Sequence, residues 1–125
     1  MAGKIMRDEG DMSGMKRIIL EMGTGNDLYG EDYTKAAKRA VQDAIHHSSL
    51  ILFKSLDINP ENMEIELNLA AWKPEMIDLD AVAAELPYGK VFPKAVIGGL
   101  NIHDEVTGRT SVIVNAGIVV RLPIQ

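Results

Sequence analysis

The sequence contains no cysteine, no long apolar run and no excess of positive charge. Without cysteine, disulfides, thiolate nucleophiles and cysteine-ligated metals are excluded, which fits a reducing compartment. No apolar stretch reaches the ~18 residues that span a bilayer, and residues 1–14 lack the apolar centre of a signal peptide. We therefore expect a cytoplasmic protein that does not act at a membrane.

The charge and the length of the chain limit its possible partners and its number of domains. The 125 residues carry 13 Lys and Arg against 18 Asp and Glu, a net charge of −5. Nucleic-acid binding needs a basic field, so nucleic acid is not expected as a partner. The length allows one core and is too short for two. We expect a flexible leader over residues 1–14, with a partner-binding arm as the alternative, and a single domain over residues 15–125.

Hydrophobic periodicity predicts the order of the elements. Residues 16–22 predict a strand, and residues 32–47 a helix whose apolar stripe is mostly alanine. A strict period of two over residues 63–69 predicts the second strand. A second helix is expected over residues 79–86, capped by Asp78 or Asp80 and stopped by Pro87-Tyr88-Gly89. Two more strands are expected over residues 91–102 and 110–121. The fold class is α+β, a four-stranded mixed sheet with two helices on one face, in the order β-α-β-α-β-β.

This arrangement leaves one face of the sheet uncovered, so that face must be polar or meet another subunit. Val96 with Ile97, and Val112 with Ile113, place apolar side chains on both faces of the last two strands. We therefore predict a homo-oligomer, either a trimer or an even-numbered assembly. The basic residues of the first helix, Lys35, Lys38 and Arg39, are interpreted as a solvated face.

Gly23, Gly25 and Gly30 surround Asp27 between the first strand and the first helix. Glycine adds no side chain to a core and is kept where the backbone takes a positive φ or approaches something closely. The spacing fits neither the dinucleotide-binding nor the Walker pattern. Amides at a helix N-terminus suit an anion, so we predict a site at this strand-to-helix turn. Asp27 is its general base or substrate anchor, or alternatively only fixes the turn.

The other predicted ligand-binding residues flank Asp27 or lie in the last two strands. Gly98-Gly99 indicates a bulge or a close approach, and a polar side chain among apolar ones, as at Asn115, needs a partner. No cofactor is expected. A metal site at Asp27, Glu31 and Asp32 is not expected either, because His46 and His47 lie at the far end of the first helix, about 20 Å away. The predicted ligand-binding set is Gly23, Thr24, Gly25, Asn26, Tyr29, Gly30, Lys94, Gly98, Gly99 and Asn115.

These elements resemble the conserved hypothetical family Lin0512, whose hallmark is Gly-x-Gly-x-Asp-x-His-Gly. The resemblance covers residues 16–120, and its motif falls on Gly23, Gly25, Asp27, Tyr29 and Gly30, with Tyr29 where the family has His. The resemblance implies no activity, because the family has none established. More remotely, the order of elements is similar to AroH-type chorismate mutases, RidA (YjgF-like) proteins and the repeats of ring-opening amidohydrolases. That likeness implies sites between neighbouring units.

Two function hypotheses follow. The first is an enzyme that acts on a small polar or anionic metabolite, with Asp27 as base, the amides of Gly23 and Gly25 as anion donors, and Lys94 or Asn115 orienting the ligand. The second is a non-catalytic ligand-binding or assembly subunit. One carboxylate without a paired acid or a nucleophile leaves the choice between them open.

Overall fold

The structure is a computed structural model and describes residues 4–5, 15–46, 62–86 and 89–123. Its strands are β1 (Lys4–Ile5), β2 (Met15–Asp27), β3 (Glu64–Ala71), β4 (Lys90–Ile97), β5 (Leu100–His103) and β6 (Thr110–Pro123). Its helices, in this part of the chain, are α1 (Tyr33–His46) and α2 (Leu79–Ala83), with a 3-10 turn at Pro74–Met76. The predicted α+β class, with a mixed sheet and two helices, is confirmed.

Several predictions fall on residues outside these ranges. Of the predicted leader over residues 1–14, only Lys4 and Ile5 are described, so the leader and the single-domain boundaries stay predictions. Pro87 and Tyr88 of the expected helix stop also lie outside the described residues. At the other end of α2, Asp78 is the N-cap, and its side chain accepts a hydrogen bond from the Ala81 amide at 3.2 Å. No helix in the described ranges is long and apolar enough to cross a membrane.

The sheet has more strands than expected. Five strands follow one another in the order β1-β4-β3-β6-β2, and β5 pairs with β6 beside that path. β4 runs parallel to β1 and β3, and the other pairings are antiparallel. The prediction of four strands in the order β-α-β-α-β-β is therefore wrong. A short strand is added at the β4 edge, and the strand predicted over residues 91–102 is divided into β4 and β5.

The division falls at Gly98 and Gly99. β4 pairs with β3 as far as Ile97, and β5 then pairs with β6 from Leu100 onward. The Gly98 amide donates to the Ala71 carbonyl at 2.9 Å, and Gly99 has a φ of 65°, which favours glycine. A Cβ at Gly99 would also collide with the carbonyl oxygen of Ile113. The close approach predicted at this glycine pair is therefore made by the chain's own backbone.

The first strand is longer than predicted. β2 pairs with β6 without interruption from Ile19 to Asp27, so Gly23 and Gly25 lie inside the strand and not in a turn. The strand-to-helix connection is limited to residues 28–32. The prediction of a glycine-rich turn over residues 23–30 is wrong for its first half. The reason is long-range pairing, since β6 lies some 90 residues further along the chain.

Close packing by α1 explains the two strand glycines. A Cβ at Gly23 would lie within 3.0 Å of backbone atoms of Ala40 and Ala44, and a Cβ at Gly25 within 3.0 Å of Ala36 and Ala40. The alanine stripe of α1 is fully buried, as predicted. The helix backbone therefore rests directly on the strand backbone, which requires glycine on one side and alanine on the other.

The two faces of the sheet differ in what covers them. The face toward α1 and α2 forms the core, which in β6 consists of Val112, Val114, Ala116, Ile118 and Val120. Cross-strand partners share a face, so the alternate residues lie on the opposite side. We call that side the open face. It carries Leu20, Met22, Thr24 and Asn26 of β2, Glu64, Glu66, Asn68 and Ala70 of β3, Phe92, Lys94 and Val96 of β4, Leu100 and Ile102 of β5, and Ile113, Asn115, Gly117, Val119 and Arg121 of β6.

Candidate functional site

Asp27 ends β2 on the helix face of the sheet and is only 5% exposed. Its Oδ2 accepts a hydrogen bond from the Asp32 amide at 2.9 Å. Asp32 in turn caps α1, because its Oδ1 accepts from the Lys35 amide at 3.0 Å. A Cβ at Gly30 would lie 2.7 Å from Asp27 Oδ2, so this glycine leaves room for the carboxylate. Asp27 therefore fixes the path of the chain into α1.

Two cations of α1 share the second oxygen of that carboxylate. Lys35 Nζ lies 3.8 Å and Arg39 Nη1 4.0 Å from Asp27 Oδ1, and both side chains are half-exposed. Arg39 Nη1 also donates to the Asn26 carbonyl at 2.7 Å. One carboxylate neutralises one of the two charges, so these three groups keep a net charge of +1. Both cations were predicted to lie on a solvated face, although their spacing of four residues places them on one side of the helix.

The bend after Asp27 presents an exposed aromatic ring. Tyr29 is 71% exposed, and the Arg109 guanidinium lies 5.1 Å from its ring centroid, a cation–π distance. Ser111 Oγ donates to the Leu28 carbonyl at 3.2 Å, which ties the bend to β6. We call Asp27, Tyr29, Lys35, Arg39 and Arg109 the entry cluster, because they surround the entry into α1.

A second anchor of α1 was not found from the sequence. Asn101 of β5 and Asp27 both have Val112 as register partner and lie in one row on the helix face. Asn101 Nδ2 donates to the hydroxyl of the buried Tyr33 at 2.7 Å, whereas its Oδ1 is buried without a hydrogen-bond partner in the described ranges. No local pattern marks Asn101, since only the pairing of β5 with β6 brings it to α1.

The amides of Gly23 and Gly25 were predicted as anion donors. The Thr24 amide donates to Asp43 Oδ2 at 2.9 Å, and the Asn26 carbonyl accepts from Arg39, so these residues turn their backbone groups toward the outer edge of β2. Backbone groups alternate along an antiparallel strand, which directs the amides of Gly23 and Gly25 toward β6. Their predicted role in binding an anion gains no support from this geometry. The α1 side chains instead cover the free edge of the sheet.

The remaining predicted residues lie on the open face. Asn115 Nδ2 donates to Thr24 Oγ1 at 3.2 Å, and Lys94 is the register partner of Asn68. Asp27 points toward the helices, so within one chain the sheet separates it from Thr24, Asn115 and Lys94. Within one chain, Asp27 on one side and Thr24, Lys94 and Asn115 on the other therefore form two groups on opposite faces of the sheet.

A charged network crosses the open face. Asn68 Nδ2 donates to Glu66 Oε2 at 2.8 Å, and this hydrogen bond is the largest cause that lowers the pKa of Glu66. Partial burial opposes it, and the nearby charges of Lys94 and Arg121 lower the pKa further. Arg121 Nη1 lies 3.5 Å from Glu66 Oε1. Glu66 is therefore held as a carboxylate.

The entry cluster combines one buried carboxylate with exposed cations and an exposed aromatic ring. Asp27 is buried and engaged by an amide and two cations, whereas the exposed groups are ammonium, guanidinium and phenol side chains. Such a set can hold an anion by charge and a planar molecule by stacking. Within the described ranges, no group of three or more His, Asp or Glu side chains is arranged to hold a metal ion.

The fold is that of an α+β protein in which helix α1 lies directly on the glycine-containing edge strand β2. Residues 17–120 match the model of the conserved hypothetical protein family Lin0512, and the chain belongs to that family. It is similar to a solved crystal structure described as an FtsZ-like protein of unknown function, from Nostoc punctiforme, with a TM-score of 0.77 and 31% identity. The match covers 89% of this chain and 98% of that one. No curated protein matches the chain.

Proposed function

We propose that this protein binds a small polar or anionic metabolite at the entry cluster. The observation that carries the proposal is the sharing of Asp27 by Lys35 and Arg39, which leaves one positive charge half-exposed beside the N-terminus of α1. Helix N-termini add a partial positive charge at such a point. A negatively charged group placed between the two cations would gain from both.

The surroundings limit the ligand class. Glu31 and Asp32 are exposed on the same connection and offset the remaining positive charge, so the site suits one negative charge held directly by Lys35 and Arg39 better than a polyphosphate. Tyr29 offers a flat, exposed ring next to this charge. We therefore propose a small monoanion with a planar or polar body, such as a ring-bearing carboxylate.

Binding is favoured over turnover. In the enzyme hypothesis Asp27 is a general base, yet a base must reach the proton that it removes. Asp27 is 5% exposed, and both of its oxygens have partners within 4.0 Å. In this proposal Asp27 positions Lys35 and Arg39, and the exposed cations contact the ligand.

The test is a thermal-shift screen of small carboxylates and phosphate monoesters at low ionic strength. Lys35→Gln should abolish the stabilisation given by any hit, because it removes the charge that the ligand neutralises. Lys38→Gln removes one charge from the same helix outside the entry cluster and should keep the shift. Equal shifts in both variants, or no stabilisation by any anion, would contradict the proposal. If the protein converts the stabilising compound into a product, the enzyme hypothesis is favoured over binding alone.

A second candidate function is that of an assembly subunit. Leu20, Met22, Val96, Leu100 and Ile102 all lie on the open face and are at least half exposed. We propose self-association through this face, in a trimer or an even-numbered assembly, with Thr24, Lys94 and Asn115 at the subunit boundary. Light scattering at micromolar concentration should give a multiple of 13.7 kDa, and a monomer would refute self-association.

A further inference from the structure

The exposed ring of Tyr29 lies under a guanidinium from a distant part of the chain. Arg109 Cζ is 5.1 Å from the ring centroid. Tyr29 belongs to the bend after β2, whereas Arg109 belongs to the hairpin between β5 and β6, and both side chains are exposed. A cation over a ring at this distance is attracted by the negative face of the ring. The pair therefore places a guanidinium at the surface of the entry cluster.

The backbone on both sides of Arg109 is held by the hairpin. The Asp104 amide donates to the Arg109 carbonyl at 2.8 Å, and the Arg109 amide donates to Thr107 Oγ1 at 3.3 Å. Gly108 has a φ of 73°, which favours glycine, and its amide donates to the Asp104 carbonyl at 2.8 Å. The Arg109 side chain therefore starts from a fixed backbone, and its contact with Tyr29 limits where the guanidinium lies.

The three cations of the entry cluster differ in what they already contact. Arg39 Nη1 donates to the Asn26 carbonyl at 2.7 Å. Arg39 and Lys35 also lie within 4.0 Å of the Asp27 carboxylate. Arg109 contacts an aromatic ring, and among the described residues its guanidinium has neither a hydrogen-bond acceptor nor a carboxylate partner. An anion that approaches the first two cations competes with Asp27, whereas one that approaches Arg109 displaces only water.

The shape of the guanidinium indicates what it can bind. Its N–H donors form a rigid planar fork that matches the two oxygens of a carboxylate and gives two parallel hydrogen bonds. An ammonium group supplies a point charge without that geometry. A donor group whose orientation is already limited loses less freedom when a ligand binds. Arg109, held over Tyr29, therefore suits a planar group with two oxygens.

The surroundings limit the charge of that group. The two connections that meet at Tyr29 also carry exposed carboxylates, namely Glu31, Asp32, Asp104 and Glu105. These acidic side chains disfavour a phosphate dianion more than a carboxylate, because the repulsion grows with the charge of the ligand. A carboxylate therefore matches the site in charge as well as in shape.

We propose that Arg109 binds the carboxylate of the ligand through two N–H groups of its guanidinium, and that Tyr29 positions Arg109 for this contact. The inference rests on the proposed function. It assigns the residue that recognises the ligand, and it narrows the ligand class from small anions to carboxylates. Lys35 contributes its charge, as the proposed function requires, without a fork.

The test is a titration of the full chain with benzoate at low ionic strength, followed by NMR chemical shifts. Arg109→Lys keeps the positive charge but loses the fork, so it should raise the dissociation constant of benzoate about tenfold. Arg121→Lys makes the same change on the open face and should leave that constant unchanged. Circular dichroism checks that each variant is folded.

The positioning role of Tyr29 is tested in the same titration. Tyr29→Phe keeps the ring and should bind benzoate as the wild type does, whereas Tyr29→Ala should weaken binding as much as Arg109→Lys. If Tyr29 acts through Arg109, the double variant Tyr29→Ala with Arg109→Lys should bind no more weakly than either single variant. Losses that add up in the double variant would show that the ring contacts the ligand itself, which refutes the positioning role.

The failures of the two proposals can be distinguished. If no anion stabilises the wild type, the proposed function fails and this inference fails with it. If Lys35→Gln weakens the binding of benzoate and Arg109→Lys does not, the entry cluster binds the anion without the fork, and only this inference is refuted. If the wild type does not bind benzoate, or binds inorganic phosphate more tightly, the carboxylate class is refuted.

Discussion

Replacing Gly25 by alanine tests the central packing contact of the fold. The added Cβ would lie within 3.0 Å of backbone atoms of Ala36 and Ala40 in α1. These are backbone atoms of a hydrogen-bonded helix, so no rotamer change relieves the collision. The helix as a whole must move away from β2, and its buried alanine stripe loses contact with the sheet.

Two opposing effects determine how much Gly25→Ala changes the free energy of unfolding. Gly→Ala at an unstrained position stabilises by about 0.4–1 kcal/mol, because it reduces the entropy of the unfolded chain. Overpacking a core typically costs about 1–3 kcal/mol, and a collision with backbone belongs at the upper end or above it. We expect a net loss of about 2 kcal/mol in the free energy of unfolding, and a fall of roughly 6–12 °C in Tm.

Urea unfolding followed by circular dichroism, at matched protein concentrations, measures this loss. Asn26→Ala is the control, because it places the same methyl group at the next residue, whose side chain is exposed on the other face. The contact can also be tested from the helix, where Ala40→Leu should cost about 1–3 kcal/mol. If Gly25→Ala is as stable as Asn26→Ala, α1 does not lie on β2 as described.

Two further perturbations probe the anchored carboxylates. Asp27→Ala leaves the Asp32 amide without its acceptor and should lower the free energy of unfolding in urea by about 1–3 kcal/mol. Asp27→Asn keeps an acceptor and should lower it by less. Equal losses in the two variants would show that only the charge of Asp27 matters. The pKa of Glu66 is lowered in the folded state, so its contribution to stability is present above the ordinary pKa of 4.5 and is lost as the pH falls below it. Between pH 7 and pH 3, Asn68→Ala should lose less free energy of unfolding than the wild type. An equal loss would show that Asn68 is not the main cause of the lowered pKa of Glu66.

Elements with a strong local period were predictable from the sequence. The alternation in β3 and the alanine stripe of α1 each predict the buried face of their own element. The reason is that the hydrophobic period lies within the segment that becomes buried. The end of β2 has no such local signal. Its last five residues are held as a strand by pairing with β6, and their sequence of glycines and polar residues resembles a turn. The division of β4 from β5 likewise depends on which neighbour each half meets.

The position of Asp27 at the entry into α1 was predictable from the sequence, and its contacts were not. Asp27 was identified by its glycine neighbours, and its capping partner Asp32 lies only five residues away. Lys35 and Arg39 were predicted to lie on a solvated face, because the pattern of a helix does not show which residues of other elements lie next to it. Asn101 depends on a strand pairing that the sequence does not reveal.

The glycines of this chain show why a residue type alone does not locate a function. Gly23 and Gly25 are required by the helix that lies on them, Gly99 by its φ and a neighbouring carbonyl, and Gly30 by the Asp27 carboxylate. In the sequence these four drew attention, and each has an internal cause. Gly117 interrupts the apolar run of β6 in the sequence as well, yet among the described residues a Cβ there would meet only Asn68 Cβ, at 3.9 Å. A glycine in the sequence therefore indicates a close approach only when the packing around it is known, because four of these five positions have such an approach within the described chain and the fifth does not.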